Sequence, residues 1–71
     1  MTPEKLADLV RSRVEGFIPD LFEGLETDED RRDALQDFVG DWLYDRYRDG
    51  VPTIIRQKTA KLLAVEYFGE R

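Results

Sequence analysis

The feature that most constrains this chain is a four-residue repeat between residues 29 and 49. An acidic residue occupies every fourth position, at Glu29, Asp33, Asp37, Asp41, Asp45 and Asp49. Apolar residues keep the same spacing in two adjacent columns, at Ala34, Phe38, Trp42 and at Leu35, Val39, Leu43, Tyr47. Residues four apart lie one above another on an α-helix, whereas a half-buried strand would alternate at every second position. The repeat therefore predicts a long helix with a buried stripe and, at its rim, a row of carboxylates that we call the acidic ladder.

Local signals on both sides predict where this second helix begins and ends. Thr27 can accept a hydrogen bond from the first turn, and the three acids after it suit the positive end of the helix dipole. The helix is predicted to run to about Arg48, with Gly50 as a left-handed residue after its end and Pro52 preventing continuation. Such a helix of roughly 21 residues is about 30 Å long.

A first helix is predicted near the start of the chain. Thr2 can cap it with Pro3 at its first position, and apolar residues recur at three- and four-residue spacing from Leu6 onward. We expect a break at residues 16–19, followed by a short helical turn, because Pro19 lacks an N–H and its ring clashes with the preceding turn. A single kinked helix is the alternative, since the apolar spacing continues past the proline.

A third helix follows the second after a short turn. Thr53 can cap it, and its apolar residues extend to Phe68, before Gly69. The predicted fold class is therefore all-α: residues 1–71 form a single helical domain, a small bundle of three helices, or four if the first breaks at Pro19.

Composition limits what the protein can do chemically. The 71 residues include no cysteine and no histidine, so the chain has no thiolate or imidazole metal ligand and no Ser-His-Asp relay. We therefore predict a protein that is not an enzyme and has no cofactor and no metal site. No basic segment precedes an apolar run, so we expect neither a signal peptide nor a membrane span. The lack of cysteine is compatible with a reducing compartment, and a cytoplasmic location is expected.

The acidic ladder is costly for an isolated helix. Its neighbouring carboxylates form five like-charge pairs, which together cost roughly 1 to 2.5 kcal/mol. Asp37 and Asp41 have no basic residue three or four positions away in either direction. Two explanations remain open: basic residues of another helix face the ladder, or a binding partner supplies them.

Charge is segregated along the chain, which bears on both explanations. Residues 20–49 contain eleven acids and four bases, whereas residues 50–65 contain three bases and no acid. On a helical wheel Lys58 falls in the same arc as Ile54 and Leu62, an unfavourable place for a lysine without a partner. Lys58 is therefore the first candidate to neutralise the ladder internally. Three bases cannot neutralise six acids, but internal compensation alone and a residual binding face both remain open.

The leading functional hypothesis is a non-enzymatic interaction module. The acidic ladder, centred on Asp33, Asp37, Asp41 and Asp45, would bind a basic surface of a protein partner. A narrower version is nucleic-acid mimicry, in which the ladder competes for a DNA- or RNA-binding protein. The net charge of −5 disfavours membranes and direct binding of nucleic acid.

Two further hypotheses come from other classes of protein. The first is a structural or assembly subunit that forms a homo-oligomer through apolar surface near Trp42, Tyr44 and Tyr67. The second is a nucleic-acid-binding protein that uses the basic third helix, through Arg56, Lys58 and Lys61, with Arg11 and Arg13 as further candidates.

Gly40 interrupts the middle of the second helix, where glycine costs about 1 kcal/mol relative to alanine. This cost predicts that another backbone approaches closely at Gly40, either residues 17–21 or a second protomer. An exposed glycine that the helix simply tolerates is the alternative.

Overall fold

The computed structural model describes residues 1–69 and shows an all-α fold. Helix α1 spans Pro3–Leu21, α2 spans Asp28–Tyr47 and α3 spans Thr53–Phe68. The molecule measures 35 × 23 × 17 Å along its principal axes. The prediction of a small three-helix bundle is confirmed. Within the described residues, no helix is both long enough and apolar enough to cross a membrane.

The N-terminus of α2 forms as predicted. The Thr27 hydroxyl accepts a hydrogen bond from the backbone N–H of Asp30 at 3.1 Å, and three acidic residues occupy the first turn. The hydrogen bond satisfies a backbone donor that has no partner inside the helix, and the acids suit the positive end of the helix dipole. They fix the start of the helix that carries the acidic ladder.

The turn after α2 differs from the prediction at Gly50. Its backbone is not left-handed, because among residues 1–69 only Gly24 and Gly69 have positive φ angles, 85° and 75°. The N–H groups of Gly50 and Val51 instead both donate to the carbonyl of Tyr47, at 3.2 and 3.0 Å. These two bonds close the turn and carry Val51 into the core, so no left-handed residue is needed.

Helix α1 is continuous, so the predicted break at residues 16–19 is wrong. The helix passes through Pro19 and ends two residues later, at Leu21. In this last turn the missing N–H of proline removes only one helical hydrogen bond, and Phe22 still donates to the carbonyl of Ile18 at 3.1 Å. Ile18 and Leu21 pack against the core, which compensates for the lost bond.

Helix α3 is the central element of the fold. It packs against both α1 and α2, whereas α1 and α2 contact each other much less, for example where Phe17 meets Phe38 and Trp42. Its fully buried positions include the small residues Thr59, Ala60 and Ala64, which allow helices to approach on two sides. The other buried apolar residues are Leu6, Ala7, Val10, Val14, Leu35, Val39, Leu43, Val51 and Leu63.

Two polar contacts attach α1 to α3. The Arg11 guanidinium donates to both carboxylate oxygens of Glu66, at 2.7 and 2.8 Å, and to Asp8 at 2.6 Å. These hydrogen bonds hold the pKa of Arg11 above its ordinary value. The Tyr67 hydroxyl donates to Glu15 Oε1 at 2.7 Å. Both contacts join residues more than fifty positions apart and fix α3 relative to α1.

The Tyr67 contact should be visible in an alkaline titration. Partial burial, together with the hydrogen bond to Glu15, raises the pKa of Tyr67 from 10.0 to about 12. Its contribution to stability is therefore complete below pH 10 and is lost as the pH rises from 10 to about 12. Tyrosinate absorbance should show a late component that is absent in Tyr67→Phe and shifted to lower pH in Glu15→Gln. A titration that these two substitutions leave unchanged would contradict the assignment.

Candidate partner-binding face

All six residues of the acidic ladder are exposed; five lie on α2, and Asp49 lies in the turn that follows it. Asp37, Asp41 and Asp45 form no ion pair with any residue between 1 and 69. Asp33 lies 4.0 Å from Arg32 Nε, at the outer limit of an ion pair. The middle of the ladder thus remains without internal compensation in the part of the chain that is described.

Lys58 does not neutralise the ladder, and that prediction is wrong. Its side chain is exposed and lines a different groove, between α1 and α3, with Pro3 and Glu4. The helical wheel misplaced it because the arc it shares with Ile54 and Leu62 lies at the edge of the bundle. Ile54 is 56% exposed and Leu62 is only half-buried, so a lysine in this arc reaches water easily.

The three basic residues of α3 do not form one surface. Lys58 and Lys61 are exposed, whereas Arg56 is buried, with 7% of its surface exposed. Phosphate binding requires cations that can reach the nucleic-acid backbone. Lys58 and Lys61 are therefore exposed enough to reach a phosphate, whereas Arg56 is not.

An open groove of about 380 Å³ lies between α2 and α3. Asp37 and Asp41, the middle pair of the ladder, line one side of it, and Gly40 lies between them in sequence. Arg56 and Tyr44 also line this groove. We call it the α2–α3 groove. It brings the uncompensated acids beside a buried cation of the neighbouring helix.

The predicted close approach of residues 17–21 to Gly40 is wrong, whereas approach by a second protomer stays a prediction. A Cβ atom at this position would have no non-local heavy atom within 4 Å. Neither residues 17–21 nor any other described segment packs there, and the glycine instead opens the α2–α3 groove to solvent. The alternative of a tolerated, accessible glycine is the one that agrees with the structure.

Arg56 is the residue of this groove that sequence reasoning did not place there. Its Nη2 donates to Thr53 Oγ1 at 2.7 Å, so Thr53 does not cap α3 as predicted. Its guanidinium carbon lies 5.0 Å from the centre of the Tyr44 ring, within cation–π range. Its Nε atom is buried and has no hydrogen-bond partner. The spacing of Arg56, Ala60 and Leu63, on one face of α3, was the available signal for this burial.

The aromatic residues considered for self-association occupy three different environments. Trp42 is half-buried, lies 6.1 Å from the ring of Phe17 and has Arg46 above it at 5.5 Å. Tyr67 is half-buried and is bonded to α1, as described above. Tyr44 is 52% exposed, and the guanidinium carbons of Arg48 and Arg56 lie 5.9 and 5.0 Å from the centre of its ring. The three side chains therefore do not form one continuous apolar patch.

Comparison of the chain with known protein families, curated proteins and solved structures found no match. Function is therefore inferred from the residues of the chain itself.

Proposed function

We propose that this protein is a non-enzymatic interaction module that binds a basic surface of a protein partner through its acidic ladder. The proposal depends on one observation. Asp37, Asp41 and Asp45, three successive carboxylates of the ladder, are exposed and form no ion pair within residues 1–69. A partner that brings lysine or arginine side chains to this face removes their mutual repulsion when it binds.

The charge distribution supports a protein partner more directly than mimicry of a nucleic acid. One ladder presents about one charge per 6 Å of helix axis, whereas duplex DNA presents one per about 1.7 Å. Mimicry would require acids outside the ladder, such as Asp28, which is already paired with Arg31 at 3.0 Å. Nucleic-acid mimicry is therefore the narrower form of the proposal, in which the partner is itself a DNA- or RNA-binding protein.

Affinity capture at two salt concentrations, followed by binding measurements with the purified partner, tests the proposal. Binding should weaken steeply between roughly 50 and 200 mM salt, because ionic screening acts on exposed charges. The double variant Asp37→Lys with Asp41→Lys should lose about 100-fold or more in affinity, since juxtaposed like charges across an interface cost several kcal/mol.

A matched double variant controls for overall charge. Asp20→Lys with Glu23→Lys changes the net charge by the same amount but lies outside the ladder, at exposed positions without ion pairs in the described structure. It should retain most of the affinity. Equal losses in the two double variants would show a non-specific charge effect, and unchanged binding in Asp37→Lys with Asp41→Lys would refute the proposal.

A further inference from the structure

The α2–α3 groove contains a cation whose hydrogen-bonding capacity is largely unused. A guanidinium has five N–H donors, and the only hydrogen bond that the Arg56 side chain makes within residues 1–69 is the one from Nη2 to Thr53. The residue is 7% exposed, and its Nε has no partner. Arg56 lines the groove, so a ligand that brings an acceptor oxygen there can use guanidinium donors that no residue between 1 and 69 occupies.

The nearby acids determine which acceptor is suitable. Asp37 and Asp41 line the same groove, and neither comes within ion-pair distance of Arg56. A carboxylate or phosphate ligand would be attracted by the guanidinium but repelled by both aspartates. A neutral carbonyl oxygen avoids this repulsion, and a positively charged group attached to the same ligand would be attracted by the aspartates.

We infer that the α2–α3 groove binds a peptide segment of the partner that carries lysine or arginine. A carbonyl oxygen of this segment accepts hydrogen bonds from the Arg56 guanidinium, while a neighbouring basic side chain pairs with Asp37 and Asp41. The absence of a side chain at Gly40 leaves room for the segment to lie across α2. This inference rests on the proposed function, and it adds a requirement for carbonyl groups that a purely electrostatic surface would not have.

Two probes of similar charge separate the groove from the ladder as a whole. One is a synthetic peptide of four lysines alternating with glycine, with an acetylated N-terminus and an amidated C-terminus. The other is spermine, a tetraamine that has no carbonyl oxygen. By isothermal titration calorimetry at low salt, the protein should bind the peptide about tenfold or more tightly than spermine, because hydrogen bonds to charged groups are strong.

Gly40→Leu tests the groove without changing any charge. The leucine side chain would occupy the space over Gly40, so affinity for the peptide should fall to that for spermine while affinity for spermine stays unchanged. Gly16→Leu is the matched control, since Gly16 is also a helical glycine with open space around it and lies on α1, outside the groove. It should leave both affinities as they are in the original protein.

Arg56→Met provides a second test at the cation itself. The methionine side chain keeps an apolar stem but removes every donor, so the preference for peptide over spermine should disappear in a protein whose circular dichroism is unchanged. If Arg56→Met does not fold, the two leucine variants still decide the question. Equal binding of the two probes by the original protein, or full peptide affinity in Gly40→Leu, would overturn the inference.

Failure of this inference is distinguishable from failure of the proposed function. Asp33→Lys with Asp45→Lys alters ladder residues that do not line the groove. It should weaken binding of both probes, whether or not the groove contributes. If it weakens neither, the ladder is not a binding face and the proposed function fails. If it weakens both while Gly40→Leu binds the peptide normally, the ladder stands and only the groove is excluded.

Discussion

Replacing Leu63 by alanine is expected to lower the free energy of unfolding by about 2 to 5 kcal/mol. Leu63 is fully buried on α3, the helix that packs against both others. A domain of this length has a total stability of only about 4 to 11 kcal/mol, so the change removes a large fraction of it. Urea denaturation followed by circular dichroism should show a much lower midpoint.

Leu9→Ala is the matched control for this substitution. Leu9 is 60% exposed on α1, so the same loss of side-chain atoms creates no cavity there. Its cost should stay within about 0.5 kcal/mol, as is usual for surface positions. Similar losses of stability for Leu63→Ala and Leu9→Ala would mean that α3 does not occupy the centre of the core.

Gly40→Ala is expected to raise the free energy of unfolding by about 1 kcal/mol, because alanine has the higher helix propensity. A Cβ atom at Gly40 meets open space, and so does one at Gly16, so Gly16→Ala should stabilise similarly. For a domain of this size, each substitution should raise the melting temperature by about 4 to 8 °C.

Gly24→Ala should have the opposite effect. Gly24 has a φ of 85°, a conformation in which a side chain costs about 1 to 2 kcal/mol, although the surrounding space is equally open. The three alanine variants therefore separate backbone conformation from steric contact. If Gly40→Ala failed to raise the melting temperature while Gly16→Ala raised it, the result would indicate that a contact at Gly40 opposes the added methyl group.

The residues around a helix end predicted its position correctly where hydrogen bonds within one turn determine it. The start of α2 at Thr27 depends on a hydrogen bond within one helical turn, and the structure contains that bond. The continuation of α1 through Pro19 depends instead on packing of Ile18 and Leu21 against other helices. Such contacts cannot be read from the residues around the proline, which is why the predicted break was wrong.

In the candidate site, too, features set by a single helix were predictable, whereas features set by packing between helices were not. The acidic ladder follows directly from helical periodicity, so its residues could be chosen from the sequence. The α2–α3 groove depends on which face of α3 turns toward α2. Arg56 and Lys58 are two positions apart, which places them about 200° apart around the helix. The wheel assigned the interior to Lys58, whereas burial of Thr59 and Ala60 turns Arg56 inward and leaves Lys58 in solvent.

The central position of α3 also has a consequence for synthesis on the ribosome. Helices α1 and α2 are made first, but apart from contacts such as those of Phe17 with Phe38 and Trp42 they share little surface with each other. At about 5 to 20 residues per second, the 16 residues of α3 follow over roughly one to three seconds. During that interval the faces of α1 and α2 that pack against α3 have no partner. The nascent chain therefore buries most of its core only after α3 has been made.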